Sequence, residues 1–177
     1  LKLYPQPRAQ QSLCLPIATP TAGLALFNAL AGELRVNAGV VLCHAAQLPI
    51  EVPTPYALVL TAEGIAEDVN SELDAVRSAI ALHQQHDPQT STVPATAGWA
   101  TFLGQTSAEE LLVRVGVPVK QLAAYLNQIG EQLTGADNWL LDPRHGLLYL
   151  RHQPENAKVA NRWLATLRAT AEELGGY

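Results

Sequence analysis

A repeated order of elements constrains the fold of this chain more than any other feature of its sequence. A strand, a helix, two strands and a second helix follow one another in residues 9–86, and the same order recurs in residues 108–177. Pro20 lies seven residues after Leu13, and Pro118 lies seven residues after Leu111, so both copies open in the same register. Because the copies share almost no residues, the repeat is one of structure rather than of recent sequence duplication.

Apolar periodicity defines the elements of the first copy. Leu13, Leu15 and Ile17 alternate with other residues and predict a half-buried strand. Thr19 and Pro20 then supply an N-cap and a first-turn proline for a helix. An apolar run at 36–42 and a strand at 56–61 follow. The apolar positions of the two predicted helices are Leu24, Phe27, Leu30 and Leu34 in the first, and Val69, Leu73, Val76, Ile80 and His83 in the second.

The second copy shows the same pattern. Leu111, Val113 and Val115 predict a strand, and Pro118 opens a helix. A hairpin is predicted next, with strands at 139–141 and 147–150 around the turn Asp142-Pro143-Arg144-His145-Gly146. The apolar positions of its two helices are Leu122, Leu126, Ile129 and Leu133, then Ala160, Trp163, Leu167, Ala171 and Leu174. Gly175 and Gly176 are suited to end the last helix.

These elements predict an α+β fold of two ferredoxin-like βαββα repeats, which form an antiparallel-sheet sandwich with helices on one face. The predicted organisation is a lead-in segment at 1–8, a first repeat at 9–86, a connector at 87–107 and a second repeat at 108–177 that lacks its last strand. The connector is rich in Pro, Thr, Ser and Gly. Its Trp99 and Phe102 are expected to pin it to the sheet or to a neighbouring domain. The missing strand and the absence of methionine predict a longer parent protein.

Charge, hydropathy and cysteine content exclude several classes of protein. A net charge of −5 with only 11 Lys and Arg residues argues against a nucleic-acid partner, because phosphate binding needs concentrated basic side chains. No apolar stretch approaches the roughly 18 residues of a membrane span, and the start does not resemble a signal peptide. Cys14 and Cys43 lie in apolar runs and are expected to be buried and unpaired. Cysteine usage therefore predicts a reducing, cytoplasmic location.

Two histidine patterns resemble reactive sites but have structural explanations. His83 and His86 have a spacing that can bind a metal, yet His83 continues an apolar stripe and no further ligand stands nearby. Cys43 and His44 are neighbours on a strand, so their side chains point to opposite faces and cannot form a nucleophile–base pair. Neither a glycine-rich phosphate loop nor a nucleophile elbow occurs. The sequence predicts no metal site, no catalytic residue and no complete active site.

The hairpin turn is the strongest candidate for ligand contact. Asp142, Arg144 and His145 stand together between two strands, where polar groups are available to a ligand. The same Asp and Gly residues also suit the geometry of a turn, with Arg144 merely solvated. Both interpretations remain open at the level of sequence.

Three segments resemble FAD-linked oxidases of the vanillyl-alcohol oxidase superfamily. Residues Leu1-Lys2-Leu3-Tyr4-Pro5-Gln6-Pro7 resemble the segment that leaves the FAD-binding domain and enters the C-terminal cap domain. The turn 142–146 followed by Leu147-Leu148-Tyr149-Leu150-Arg151 is similar to the family's His-x-Gly-x-Gly-x-x-x-Leu-Arg strand pair. Residues 167–177 are similar to the last cap helix. The nearest relatives by this resemblance are glycolate oxidase E-type subunits, whose cap is a pair of ferredoxin-like repeats.

The resemblance implies a function for the parent protein. It implies FAD in the intact protein, bound mainly by a domain that precedes Leu1, and no cofactor in this chain alone. It also implies oxidation of a 2-hydroxy acid such as glycolate by hydride transfer to the flavin, with this cap closing one side of the substrate cavity. The implied partners are that FAD-binding domain and, in a glycolate oxidase, further flavin and iron–sulfur subunits.

Related 2-hydroxy-acid dehydrogenases place a histidine-rich motif near residues 142–148, where only His145 remains, so direct catalysis by this domain is not implied. The predicted substrate-binding residues are Trp99, Arg144 and His145, with Arg144 the best partner for a carboxylate. Two other functions fit the sequence. One is a stand-alone ferredoxin-like ligand-binding module, and the other is a subunit-interaction module that binds a partner through Trp99 or Trp163.

Overall fold

The structure, a computed structural model of the chain, describes residues 7–34, 37–83, 89–91, 94–104, 110–134, 136 and 138–177. Its strands are β1 (Ala9–Ile17), β2 (Asn37–His44), β3 (Tyr56–Gly64), β4 (Gln89–Ser91), β5 (Leu111–Gly116), β6 (Asn138–Asp142) and β7 (Leu147–His152). Its helices are α1 (Pro20–Leu30), α2 (Ala66–His83), α3 (Ala95–Gly104), α4 (Leu122–Gln128), α5 (Gly130–Thr134) and α6 (Ala157–Glu173).

The described strands form one antiparallel sheet of seven strands in the order β4-β1-β3-β2-β6-β7-β5. The two repeats meet where β2 pairs with β6, with Leu42 opposite Leu141 and Cys43 opposite Leu140. Outward from this junction, β3 and β1 on one side correspond to β7 and β5 on the other. The predicted α+β fold with an antiparallel sheet is therefore confirmed.

The main core lies between one face of the sheet, here called the helix face, and helices α1, α2, α4 and α6. In α1, α2, α4 and α5, the described side chains of the predicted apolar stripes are buried in this core, with one exception. Leu34 lies beyond the end of α1 and is partly buried. Side-chain caps start two of these helices: Thr19 Oγ1 accepts from the Ala22 N–H, and Asn156 Oδ1 accepts from the Lys158 and Val159 N–H groups.

The helix predicted after Pro118 is divided. A 3₁₀ turn occupies Val119–Gln121, α4 follows, and Ile129 separates α4 from α5, which begins at Gly130. Glycine in a helix interior costs conformational entropy, which explains a break at this point. The break does not move the apolar stripe, because Leu126, Ile129 and Leu133 all remain in the core.

Helix α3 packs on the opposite side of the sheet, here called the second face. It lies within residues 87–107, where the sequence predicts a connector, and its side chains join a separate cluster around Cys43, Val59 and Leu140. Phe102 is fully buried in this cluster, in agreement with the expectation that it pins the segment to the sheet. A 21-residue loop without structure is uncommon in a compact fold, and an Ala-rich run after Pro94 provides the helix. Both cysteines are free and buried.

Candidate functional site

The turn between β6 and β7 holds Arg144 and His145 in a defined backbone conformation. Asp142 Oδ1 accepts hydrogen bonds from the backbone N–H groups of Arg144 and His145, both at 3.1 Å, as in an Asx turn. Gly146 adopts φ +69°, a left-handed conformation that favours glycine. Its carbonyl oxygen accepts a 2.8 Å hydrogen bond from the Val117 N–H. Asp142 and Gly146 therefore have a structural role in the turn.

Asp142 also orients the imidazole of His145. His145 Nδ1 lies 2.9 Å from Asp142 Oδ2, and the two side chains are 66% and 21% exposed, respectively. At this exposure the ion pair contributes little to stability. A proton on Nδ1 satisfies the carboxylate and leaves Nε2 available to a ligand. The pair therefore presents one ring nitrogen, Nε2, in a fixed orientation.

An open cavity of about 270 Å³ lies beside this imidazole. Its lining comes from the end of β5, the start of β7 and the end of α6: Gly116, Val117, Pro118, His145, Leu147, Gly175, Gly176 and Tyr177. These segments meet because Tyr177 and Gly116 exchange two backbone hydrogen bonds, of 2.9 and 3.0 Å. The volume lies below the roughly 300–1,000 Å³ of pockets for drug-sized ligands. The cavity therefore suits a small molecule.

Trp99 lies on the second face rather than in the turn. Its ring meets the ring of Tyr149 edge to face, with centroids 4.7 Å apart and planes at 82°. Side chains on a strand alternate between faces, so Leu147, Tyr149 and Arg151 share the second face of β7. Trp99 and Tyr149 thus form an aromatic contact two residues along β7 from the cavity wall at Leu147.

Arg151 is a charged side chain enclosed within the second face. It is 3% exposed, forms an ion pair with Glu110, and donates a 3.0 Å hydrogen bond to the carbonyl oxygen of Phe102. Its guanidinium carbon also lies 5.9 Å from the centre of the Phe102 ring. Burying a charge is costly unless it is paired and hydrogen-bonded, and these partners satisfy that condition. Arg151 therefore ties the C-terminal end of α3, which carries Trp99, to β7.

The structure thus brings two of the three predicted residues together in one turn and places the third, Trp99, against Tyr149 on the second face. Arg144 and His145 share the turn with Asp142. Asp142 lies two residues after Leu140 on β6, so it is on the same face of the sheet as Leu140, the second face. Trp99 stands over β7 instead. The prediction did not include Tyr149 or Arg151 as site residues. An Arg in an otherwise apolar strand, at a position that faces away from the main core, is the signal that could have identified Arg151.

The other residues considered from sequence have these positions. His44 and Cys43 point to opposite faces as predicted, because Cys43 joins the second-face cluster whereas the His44 ring lies about 5 Å from the rings of Tyr56 and Trp139. Burial raises the pKa of the Cys43 thiol to about 12, with a further contribution from Cys14, so the thiolate is disfavoured. The side chain of His83 and all of His86 lie outside the described residues.

Two larger features are absent from the described part of the chain. No three His, Cys, Asp or Glu side chains within it come together as a set that could hold a metal ion. None of the helices in it has the length and apolar character needed to cross a lipid bilayer.

No family model matches the sequence, and no curated protein matches it significantly. Solved structures do share its fold. Alkyldihydroxyacetonephosphate synthase matches with a TM-score of 0.61 and 9% identity, over 98% of this chain and 41% of that one. The 4-ethylphenol oxidase of Gulosibacter chungangensis in complex with isoeugenol matches with a TM-score of 0.57 and 13% identity, over 99% of this chain and 46% of that one. Substrate-bound p-cresol methylhydroxylase matches with a TM-score of 0.55 and 14% identity, over 96% of this chain and 44% of that one.

The chain therefore spans less than half the length of each of these proteins. At identities this low the likeness shows a shared fold. The match extends over nearly all of this chain, so both repeats and the second face belong to the shared part.

Proposed function

We propose that this chain is the cap domain of an FAD-linked oxidoreductase of the vanillyl-alcohol oxidase superfamily, and that it is not active alone. The observation that carries the proposal is a small cavity beside His145, whose imidazole is held by Asp142, with Arg144 in the same turn. Its support is a fold shared along nearly the whole chain with an oxidase and a methylhydroxylase, together with the sequence resemblance at three segments. Fold alone would not identify an activity.

We assign the FAD of this proposal from the resemblance, which supports a cofactor bound mainly by the part of the intact protein outside this chain. The sequence of this chain has no glycine-rich phosphate loop ahead of a helix, which agrees with that assignment. In the intact protein FAD is the oxidant that converts a 2-hydroxy acid, such as glycolate, to the 2-oxo acid.

The residues of this chain bind and orient the substrate. A 2-hydroxy acid carries a carboxylate, which the planar guanidinium of Arg144 suits through paired N–H donors. His145 Nε2 is the second polar contact, and Trp99 with Tyr149 contributes an aromatic wall to the same face. In this assignment the cap closes one side of the cavity through its second face and supplies no catalytic residue.

The test uses the intact protein. Purified protein is expected to contain FAD, and glycolate or a related 2-hydroxy acid is expected to bleach the flavin absorbance under anaerobic conditions. Arg144→Ala is expected to raise KM by about tenfold or more, since a charge-assisted hydrogen bond contributes about 1.5–3 kcal/mol. Arg168→Ala, an exposed arginine on α6, is the matched control. An Arg144→Ala enzyme with unchanged KM contradicts the binding role, and purified protein without flavin contradicts the whole proposal.

Partners beyond the FAD-binding domain belong to the same proposal. If the protein is a glycolate oxidase subunit, a cytoplasmic complex with flavin and iron–sulfur subunits is expected, and co-purification of an iron–sulfur subunit tests it. The interaction-module alternative assigned docking to Trp99 or Trp163. Trp163 is buried, packs against His152 at 4.8 Å and donates to the Gln132 carbonyl oxygen. Trp163 is therefore not available for docking, which weakens that alternative.

A further inference from the structure

The ring of Tyr177 lies against the second face of the sheet at Gly116. Gly116 is opposite Leu147, which belongs to the second face, so a side chain at Gly116 would project from that face too. A Cβ built on Gly116 would overlap Cζ, Cε1 and the hydroxyl oxygen of Tyr177. The ring therefore occupies the space that a side chain at Gly116 would fill, and it requires glycine beneath it.

The backbone around this ring is fixed by hydrogen bonds. The Tyr177 N–H donates to the Gly116 carbonyl oxygen at 2.9 Å, and the Tyr177 carbonyl oxygen accepts from the Gly116 N–H at 3.0 Å. The preceding residues end α6 in a Schellman motif, with the Gly176 N–H bonded to the Ala171 carbonyl oxygen at 2.7 Å and Gly175 at φ +78°. The fold thus sets the position of Tyr177 on the cavity, although the residue is 71% exposed.

The cavity beside His145 has few polar groups left for a ligand. His145 and Tyr177 supply its polar side chains, because the other lining residues are Gly, Val, Pro and Leu. Five lining residues donate their backbone N–H groups to carbonyl oxygens within the protein: Gly116, Val117, Gly175, Gly176 and Tyr177. A neutral imidazole at His145, with its proton on Nδ1 towards Asp142, accepts at Nε2. The Tyr177 hydroxyl is therefore the side-chain donor of this cavity, and no described residue accepts a hydrogen bond from it.

We propose that Tyr177 is a further substrate-binding residue, and that its hydroxyl donates a hydrogen bond to a carboxylate oxygen of the 2-hydroxy acid. The inference rests on the proposed function, from which it takes the substrate class. A 2-hydroxy acid carries a hydroxyl donor beside a carboxylate acceptor. The cavity offers the complementary pair, since His145 Nε2 accepts from the substrate hydroxyl and Tyr177 donates to the carboxylate. An ionised carboxylate has about four acceptor positions, so Tyr177 and Arg144 bind it together.

Calorimetric titration of the intact protein with glycolate tests the proposal. Any flavin is reduced beforehand, so that binding is measured without turnover, and the same titration applies to protein that contains no flavin. We expect Tyr177→Phe, which removes only the hydroxyl, to raise Kd by about tenfold or more, because hydrogen bonds to charged groups are the stronger class. Tyr56→Phe, which packs against the core of the helix face, is the matched control and is expected to leave Kd unchanged.

The outcomes separate this inference from the proposed function. Equal Kd for wild type and Tyr177→Phe, in a protein whose flavin glycolate bleaches, overturns the role of Tyr177 and leaves the proposed function standing. Purified protein without flavin contradicts the proposed function, whereas a raised Kd in Tyr177→Phe would still support the role of Tyr177 in binding.

Gly116→Ala tests the position of the ring without changing Tyr177. Its methyl group displaces the ring, so we expect a Kd for glycolate at least as high as that of Tyr177→Phe. In the Tyr177→Ala background the same substitution is expected to have no further effect, because the overlapping atoms are gone. Gly32→Ala, whose Cβ has no neighbour within 4 Å, is the control. An effect of Gly116→Ala that persists in the Tyr177→Ala background overturns the proposal, since it does not act through the ring.

Discussion

Single residues decide the geometry of the cavity, and glycine does so twice. At Gly146 the backbone is left-handed, and a Cβ would overlap the Val117 carbonyl oxygen that packs against it. At Gly176 a Cβ would overlap the Gly116 carbonyl oxygen. The loop after β5, the β6–β7 turn and the end of α6 can approach one another only because these positions lack a side chain.

The first prediction follows from Gly146. Gly146→Ala is expected to lower the free energy of unfolding by about 2 kcal/mol or more, because a left-handed conformation costs an L-residue about 1–2 kcal/mol and the overlap adds to it. Urea unfolding measures the effect. Gly32→Ala is the matched control, since a Cβ at Gly32 has no neighbour within 4 Å and its φ is not positive. Equal stability of the two variants would contradict this account of the turn.

His44 provides a prediction of pH dependence. Burial against Tyr56 and Trp139 lowers the pKa of His44 below its ordinary value of 6.5. The unfolded chain then takes up a proton at a higher pH than the folded chain, so the stabilisation is complete above pH 6.5 and is lost as the pH falls through the folded-state pKa. The loss approaches about 1.4 kcal/mol for each unit between the two pKa values.

The measurement compares wild type with His44→Phe, which keeps an aromatic ring without a titrating group. Urea unfolding at pH 7.5 and at acid pH gives the free energy of unfolding of each. We expect wild type to lose more stability on acidification than His44→Phe does. A parallel loss in the two proteins would assign the acid sensitivity to other groups.

At the scale of elements, α3 shows how packing overrides local composition. Its sequence, rich in Ala, Thr and Gly, indicates a connector, yet Phe102 is buried and Arg151 holds the Phe102 carbonyl oxygen at the end of the helix. Neither contact is visible locally, because Arg151 lies 49 residues further along the chain. The predicted helices α1, α2 and α6 differ in that an apolar stripe within each sequence already specifies its buried face.

The third prediction concerns the attachment of α3. Arg151→Lys keeps a positive charge for Glu110 but loses the forked geometry that also reaches Phe102. Amides of residues 97–104 are expected to exchange faster, and stability is expected to fall by about 1–3 kcal/mol. Arg162→Lys, at an exposed position of α6, is the control. If exchange in α3 were unchanged by Arg151→Lys, its position would depend on apolar contacts alone.

At the scale of the whole molecule, one sheet joins the two repeats. The junction consists of the β2–β6 pairing and of Gln47, a buried side chain whose Nε2 donates to the Trp139 carbonyl oxygen at 2.7 Å and to Asn138 Oδ1. Helices of both repeats also contribute to one continuous core on the helix face. The repeats are therefore expected to unfold together.

The fourth prediction tests this coupling with natural probes. Both cysteines, Cys14 and Cys43, lie in the first repeat, whereas Trp139 and Trp163 lie in the second. Urea transitions followed by thiol labelling and by tryptophan fluorescence are expected to share one midpoint, as two-state unfolding requires. Labelling of the thiols at a urea concentration that leaves the fluorescence native would show that the first repeat unfolds independently.

The amino-acid sequence by itself determined the strands other than β4, the apolar faces of the helices other than α3, and the α+β class, because hydropathy periods of two and 3.6 are local properties. Both β4 and α3 lie in the segment that the sequence indicated as a connector. It also identified Asp142, Arg144 and His145 as one turn, since turn chemistry is local too. Only the tertiary structure decided that α3 covers the second face, that Arg151 anchors it, and that Tyr177 pairs with Gly116 beside His145. Those contacts join residues that are far apart in the chain. The order of strands in the sheet decides which distant residues meet, and no local sequence pattern encodes that order.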